Sequence, residues 1–61
     1  MVKDIEIHFI RLKKEENQNF RLIELKRIRI KLMFIILDPI TNRNELKEAK
    51  YLLKQIEICI N

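Results

Sequence analysis

Glycine and tryptophan are missing from the 61 residues, and proline, cysteine, histidine and tyrosine occur once each. Each scarcity removes a class of protein. Without glycine there is no glycine-rich loop to bring backbone amides close to a phosphate. A lone Cys59 cannot close an intrachain disulfide, and a reducing compartment is the simpler expectation. No set of Cys and His stands at zinc-ligand spacing. The longest uninterrupted apolar run, Leu32 to Leu37, is far short of the ~20 residues a spanning helix needs. The first residues show no cationic start followed by an apolar block and a small-residue cleavage site, so no secretory signal is expected. A chain this short is one domain at most and buries only about 60% of its unfolded surface. Without a disulfide or metal to staple it, such a chain often leans on a partner.

Apolar residues make up 48% of the chain and charged ones 36%, for a net charge of +4. That apolar content is too high for a disordered tail. The bias to Ile, Lys and Asn suggests an AT-rich genome, that of an organelle such as a plastid or of a low-GC bacterium. The positive balance makes nucleic acid or an anionic membrane surface the first candidates for a partner. The excess is local. Residues 20–37 carry five Lys/Arg against one Glu, whereas the segments before and after carry four of each sign. A segment both apolar and basic must bury one side and meet something negative with another.

In residues 3–12, Ile5, Ile7 and Phe9 alternate with Asp4, Glu6 and His8, the period of a short strand or extended arm. Ile10 and Leu12 break that phase, which leaves a ragged helix start open. Lys13 to Asn19 is polar throughout and reads as a turn or a first helical turn, where Glu15 and Glu16 would suit the positive end of the dipole. In residues 20–37, Leu25, Ile28, Leu32 and Ile35 fall at helical spacing, while Ile28, Ile30, Leu32, Phe34 and Ile36 also fit a strand. Isoleucine favours the strand. Length favours the helix, because strands usually run roughly 3–10 residues. Asp38-Pro39 should end the helix, since a residue before proline avoids the α region. Asn42 stands three residues before Glu45, the spacing of a capping box. Leu46, Ala49, Leu53, Ile56 and Ile60, widened by Leu52, then mark a second helix. The expected fold is all-α, a single domain: an N-terminal arm over 1–12, helix one over about 15–37, a loop over 38–44, and helix two over about 45–60. The short connection makes the two helices an antiparallel hairpin.

Two pieces of this hairpin carry a family resemblance. One is Ile23-Glu24-Leu25-Lys26-Arg27 followed by Leu32-Met33-Phe34. The other is Leu46-Lys47-Glu48-Ala49-Lys50-Tyr51-Leu52-Leu53-Lys54-Gln55-Ile56. Together with Leu12-Lys13-Lys14-Glu15-Glu16 upstream, they resemble the bacterial and organellar ribosomal protein twenty-nine of the large subunit, over about residues 12–60. The chain departs from that pattern at Met33, Tyr51 and Lys54, at Asp38-Pro39, and in being less basic than the family. The resemblance implies a structural component of the large subunit that lies on ribosomal RNA near the peptide exit tunnel, beside large-subunit protein twenty-three. It implies a ribosomal location in a plastid or a bacterial cytoplasm. No catalysis, cofactor, metal, small-molecule substrate or membrane span is expected. The cations expected to meet RNA are Lys26, Arg27, Arg29 and Lys31 on helix one, with Arg43, Lys47, Lys50 and Lys54 around helix two.

The cations of helix one point in several directions, which suits a helix lying between RNA segments better than a flat patch. Arginine pairs with phosphate oxygens through two hydrogen bonds, and lysine acts as a point charge. The plain alternative is that these charges form a solvated face. His8 reads as a surface side chain, Cys59 as a small hydrophobe, Glu15 and Glu16 as solvated, and Tyr51 as packing at the hairpin interface, with base stacking as its other use. Two other classes compete with the ribosomal one. A dimeric ribbon-helix-helix regulator would place the N-terminal strand in the DNA major groove, although Asp4 and Glu6 ill suit that face. A protein-binding hairpin like the small sporulation phosphatases would carry a Ser-Gln-Glu-Leu-Asp motif on helix two. Here the matching positions are Ala49, Lys50, Tyr51, Leu52 and Leu53, without the aspartate.

Overall fold

The computed structural model describes residues 2–60, and they form three helices: α1 Val2–Leu12, α2 Gln18–Leu37 and α3 Arg43–Ile60. No strand occurs among the described residues. The all-helical class is as expected, and the two long helices form the hairpin. The expected arm is not an arm, however: apart from Met1, which lies outside the described residues, it is a helix.

The reason for α1 lies in a second period within the same residues. Val2, Ile5, Phe9 and Leu12 recur at three, four and three residues, which is one helical face. Val2, Phe9 and Leu12 are buried, and Ile5 packs against the same cluster. The alternating set is split instead, with Ile7 exposed and Phe9 buried. An isolated arm would gain nothing from this face, whereas packing it on α2 and α3 removes three large apolar side chains from water. Asp4 in the first turn and Arg11 in the last also complement the helix dipole. The Lys13 ammonium lies 4.7 Å from the centre of the Phe9 ring, and the Lys13 backbone N–H donates to the Phe9 carbonyl at 3.1 Å at the end of the helix.

α2 starts at Gln18, later than the expected start near residue 15, because Asn17 caps it. The Asn17 side-chain oxygen accepts the Phe20 amide at 3.0 Å, the pattern that satisfies a helix's free first-turn donors. Glu15 is therefore outside the helix. Its carboxylate accepts the Asn17 amide at 3.2 Å, and its backbone carbonyl accepts Arg21 Nη1 at 3.0 Å. Glu15 is half-buried rather than freely solvated, while Glu16 is exposed.

α2 ends as Asp38-Pro39 demands. Asp38 takes an extended conformation at φ −74° and ψ 120°, and its carboxylate accepts the Ile40 amide at 2.9 Å. The Thr41 hydroxyl donates to the Ile35 carbonyl at 2.7 Å, satisfying one of the free acceptors of the last turn. The loop is shorter than expected, 38–42, because α3 begins at Arg43. The Asn42 side-chain oxygen accepts the Glu45 amide at 2.8 Å, in keeping with the Asn42/Glu45 spacing. Among the described residues none takes a positive φ, so both connections turn without glycine.

The core is one cluster. Leu25, Ile28 and Leu32 of α2 meet Ala49, Leu52 and Ile56 of α3, and Val2, Phe9 and Leu12 of α1 close it. Full burial stops at Leu32 on α2 and at Ala49 on α3. α1 is about 16 Å long and α2 about 30 Å. α1 thus thickens the end where α2 starts and α3 finishes, and leaves the hairpin tip as two helices.

Candidate nucleic-acid interface

α3 brings four of the expected cations into line. Arg43, Lys47, Lys50 and Lys54 are spaced by four, three and four residues, so they fall within one narrow arc and run about 16 Å along the axis. All four are exposed. The arc lies opposite the buried Ala49, Leu52 and Ile56, so the packing of α3 on α2 fixes its direction. Of the acids of α3, Glu45 and Glu48 lie outside the arc, while Glu57, three residues after Lys54, continues the same spacing and ends the row with a negative charge. All four cations of the row turn their charge toward solvent. Arg43, placed in the loop by its sequence context, is instead the first residue of the helix.

Tyr51 belongs with this row and not with the hairpin interface. It is 68% exposed, because its position falls on the outer side of α3, next to Lys47, Lys50 and Lys54. The signal is present in the sequence: Tyr51 sits between Lys50 and the buried Leu52, out of phase with the apolar stripe. An exposed aromatic ring beside a row of cations can stack on a base while the cations hold the backbone.

The cations of α2 are not assembled in this way. Lys26, Arg27 and Lys31 are exposed and point to different sides, while Arg29 is half-buried. Arg27 lies 3.7 Å from Glu24. With Arg27 exposed and Glu24 half-buried, the pair lowers the charge that Arg27 offers a polyanion. Of the eight expected RNA-facing cations, the structure unites the four of α3 and disperses the four of α2.

The remaining candidates have no assembled chemistry around them. Cys59, read as a small hydrophobe, is exposed. It borders a shallow groove with Phe9, Leu12, Lys13, Arg21 and Leu25, of about 180 Å³. His8 is half-buried on α1 and borders a second, open groove with Asp4, Ile7 and Arg11. Among the described residues no three of His, Cys, Asp and Glu cluster as metal ligands. No helix among them is long and apolar enough to cross a membrane. Comparison with protein families, with characterised proteins and with solved structures finds no match to this chain.

Proposed function

We propose that the chain is a structural, RNA-binding component of the large ribosomal subunit, seated near the peptide exit tunnel like the family it resembles. The observation that carries this reading is the exposed row Arg43, Lys47, Lys50 and Lys54 with Tyr51 at its side. Its four cations sit on one helix at short, regular intervals, as contacts to successive phosphates require. Lys26 and Lys31 of α2 add charge on other sides of the hairpin. The motif residues Ile23 to Arg27 and Leu46 to Ile56 supply the ribosomal part of the reading. Neighbouring large-subunit proteins, protein twenty-three among them by resemblance, would meet the apolar surface of the hairpin. The ribbon-helix-helix alternative loses its DNA-reading strand, because residues 2–12 are helical.

The test is sedimentation of the tagged chain in a cell extract. The chain is expected to travel with large subunits at low salt and to return to the top of the gradient at high salt. Four phosphate contacts imply roughly a hundredfold loss of affinity between 50 and 200 mM salt. Replacing Lys47, Lys50 and Lys54 with Glu is expected to abolish co-sedimentation while helix content stays unchanged. Failure of the natural chain to sediment with subunits at any salt would overturn the proposal.

A further inference from the structure

α2 carries a second apolar seam, on the side turned away from the core. Phe20, Ile23, Arg27, Ile30, Phe34 and Leu37 follow one another at three, four, three, four and three residues. This is the a/d spacing of a heptad repeat, with Phe20, Arg27 and Phe34 at a and Ile23, Ile30 and Leu37 at d. The core uses other positions of the same helix, Leu25, Ile28 and Leu32. The apolar members of the second seam are all exposed, from 46% at Phe20 to 76% at Leu37. A phosphate backbone offers such side chains nothing. Leu22 and Met33 are also exposed and widen the apolar arc, but a lipid surface would have to take in Arg27, which stands within the seam, whereas a coiled coil accommodates one polar a residue. Glu24 and Lys31 border it on one side and Lys26 and Met33 on the other.

We propose that in the free chain this seam is covered by a second copy of the same chain, with the two α2 helices packed antiparallel. The pattern fits itself in that direction. With the symmetry axis between Ile28 and Arg29, Phe20 lies opposite Leu37 of the second copy, Ile23 opposite Phe34, and Arg27 opposite Ile30. Every a residue then meets a d residue along the whole seam. The borders agree: Glu24 falls beside Lys31 of the second copy, twice by symmetry, and Lys26 falls beside Met33. The parallel alternative stacks Arg27 on Arg27 and sets Lys26 beside Lys31, so like charges oppose it. Arg27, the single polar residue in the seam, fixes the alignment as a polar a residue does in a coiled coil.

The exposed area fits the same conclusion. The chain exposes 4993 Å², against about 4,250 Å² for a folded monomer of this mass. The surplus of roughly 700 Å² is close to the ~800 Å² that each partner contributes to a standard interface. The seam and the cation row lie on different helices, so this inference does not depend on the ribosomal reading.

Sedimentation equilibrium of the purified chain tests it. The expected mass is about twice 7.5 kDa, with a dissociation constant that holds or tightens as salt rises, since each copy carries +4. Salt weakens RNA binding instead, so the two proposals fail separately. Phe34→Asp is expected to weaken the dimer roughly thirtyfold or more with unchanged helix content, because Phe34 faces outward. Glu24→Lys alone sets a second cation against Lys31 of the other copy and is expected to weaken the dimer about tenfold; adding Lys31→Glu restores most of the loss. Mixing Ile23→Cys and Phe34→Cys chains, each also Cys59→Ser, is expected to give the mixed 23–34 crosslink on oxidation. Crosslinks of 23 to 23 would overturn the antiparallel arrangement. A natural chain that stays monomeric up to ~1 mM would overturn the dimer itself.

Discussion

Two seams run along α2, and they differ in what covers them. Leu25, Ile28 and Leu32 are shut against α1 and α3. Phe20, Ile23, Ile30, Phe34 and Leu37 are as apolar, but they face outward. Both seams have helical periodicity, so periodicity alone does not identify a core. The difference is set by the rest of the chain: α3 carries one apolar stripe, α1 carries one, and both stripes are spent on the same side of α2. A helix that is apolar on two sides within a chain of 61 residues has more to bury than its neighbours can cover. That is why the sequence of α2 fits both helix and strand: residues from both seams, read together, mimic alternation.

The seams can be separated by substitution, and the largest effect belongs to the inner one. Leu32 is fully buried, and Leu32→Ala is expected to cost about 2–5 kcal/mol. A domain of this size has only about 3–5 kcal/mol to lose, so circular dichroism should show a largely unfolded chain. Next comes the cation row, which belongs to neither seam. Replacing Lys47, Lys50 and Lys54 with Gln is expected to lower the salt slope of RNA affinity by about 2–3, with no change in thermal unfolding. The caps should follow: Asn17→Ala and Asn42→Ala are each expected to cost about 1 kcal/mol in urea unfolding. Their effects should add, because they act on different helices. The smallest effect belongs to the outer seam. In dilute solution, Ile30→Ala is expected to change monomer stability by less than about 0.5 kcal/mol. A cost as large as that of Leu32→Ala would mean that the two seams are not distinct.

Much of the hairpin is legible from residues. Leu25, Ile28 and Leu32 are core as their spacing indicates, as are Ala49 and Ile56; Leu52, expected only to widen the stripe of α3, is buried, while Leu46, Leu53 and Ile60 of that stripe are half-buried. Pro39 marks the end of α2, and Asn42 the start of α3, since both signals act through local sterics and hydrogen bonds. Two features are not legible in this way. The helix at 2–12 is masked because Ile5, Ile7 and Phe9 alternate, and only the tertiary burial of Val2, Phe9 and Leu12 decides between the two periods. The start of α2 is misplaced because Glu15 and Glu16 resemble a first turn, yet the capping side chain is Asn17. For the interface, the eight cations can be named from sequence, but their grouping cannot. The row on α3 emerges only once the opposite face is known to be buried, and the same fact turns Tyr51 outward.

The short reach of α1 has a consequence for motion. Where α1 lies against the hairpin, opening one helix means tearing it from two others. Beyond Leu32 and before Ala49 each helix has a single companion, and no side chain there is fully shielded. Amide protons from Met33 to Lys47 should therefore trade with deuterium well before those flanking Leu25 and Ile56. The molecule would breathe from its tip, next to Arg43 and Lys47, while its base holds the far end of the cation row in place.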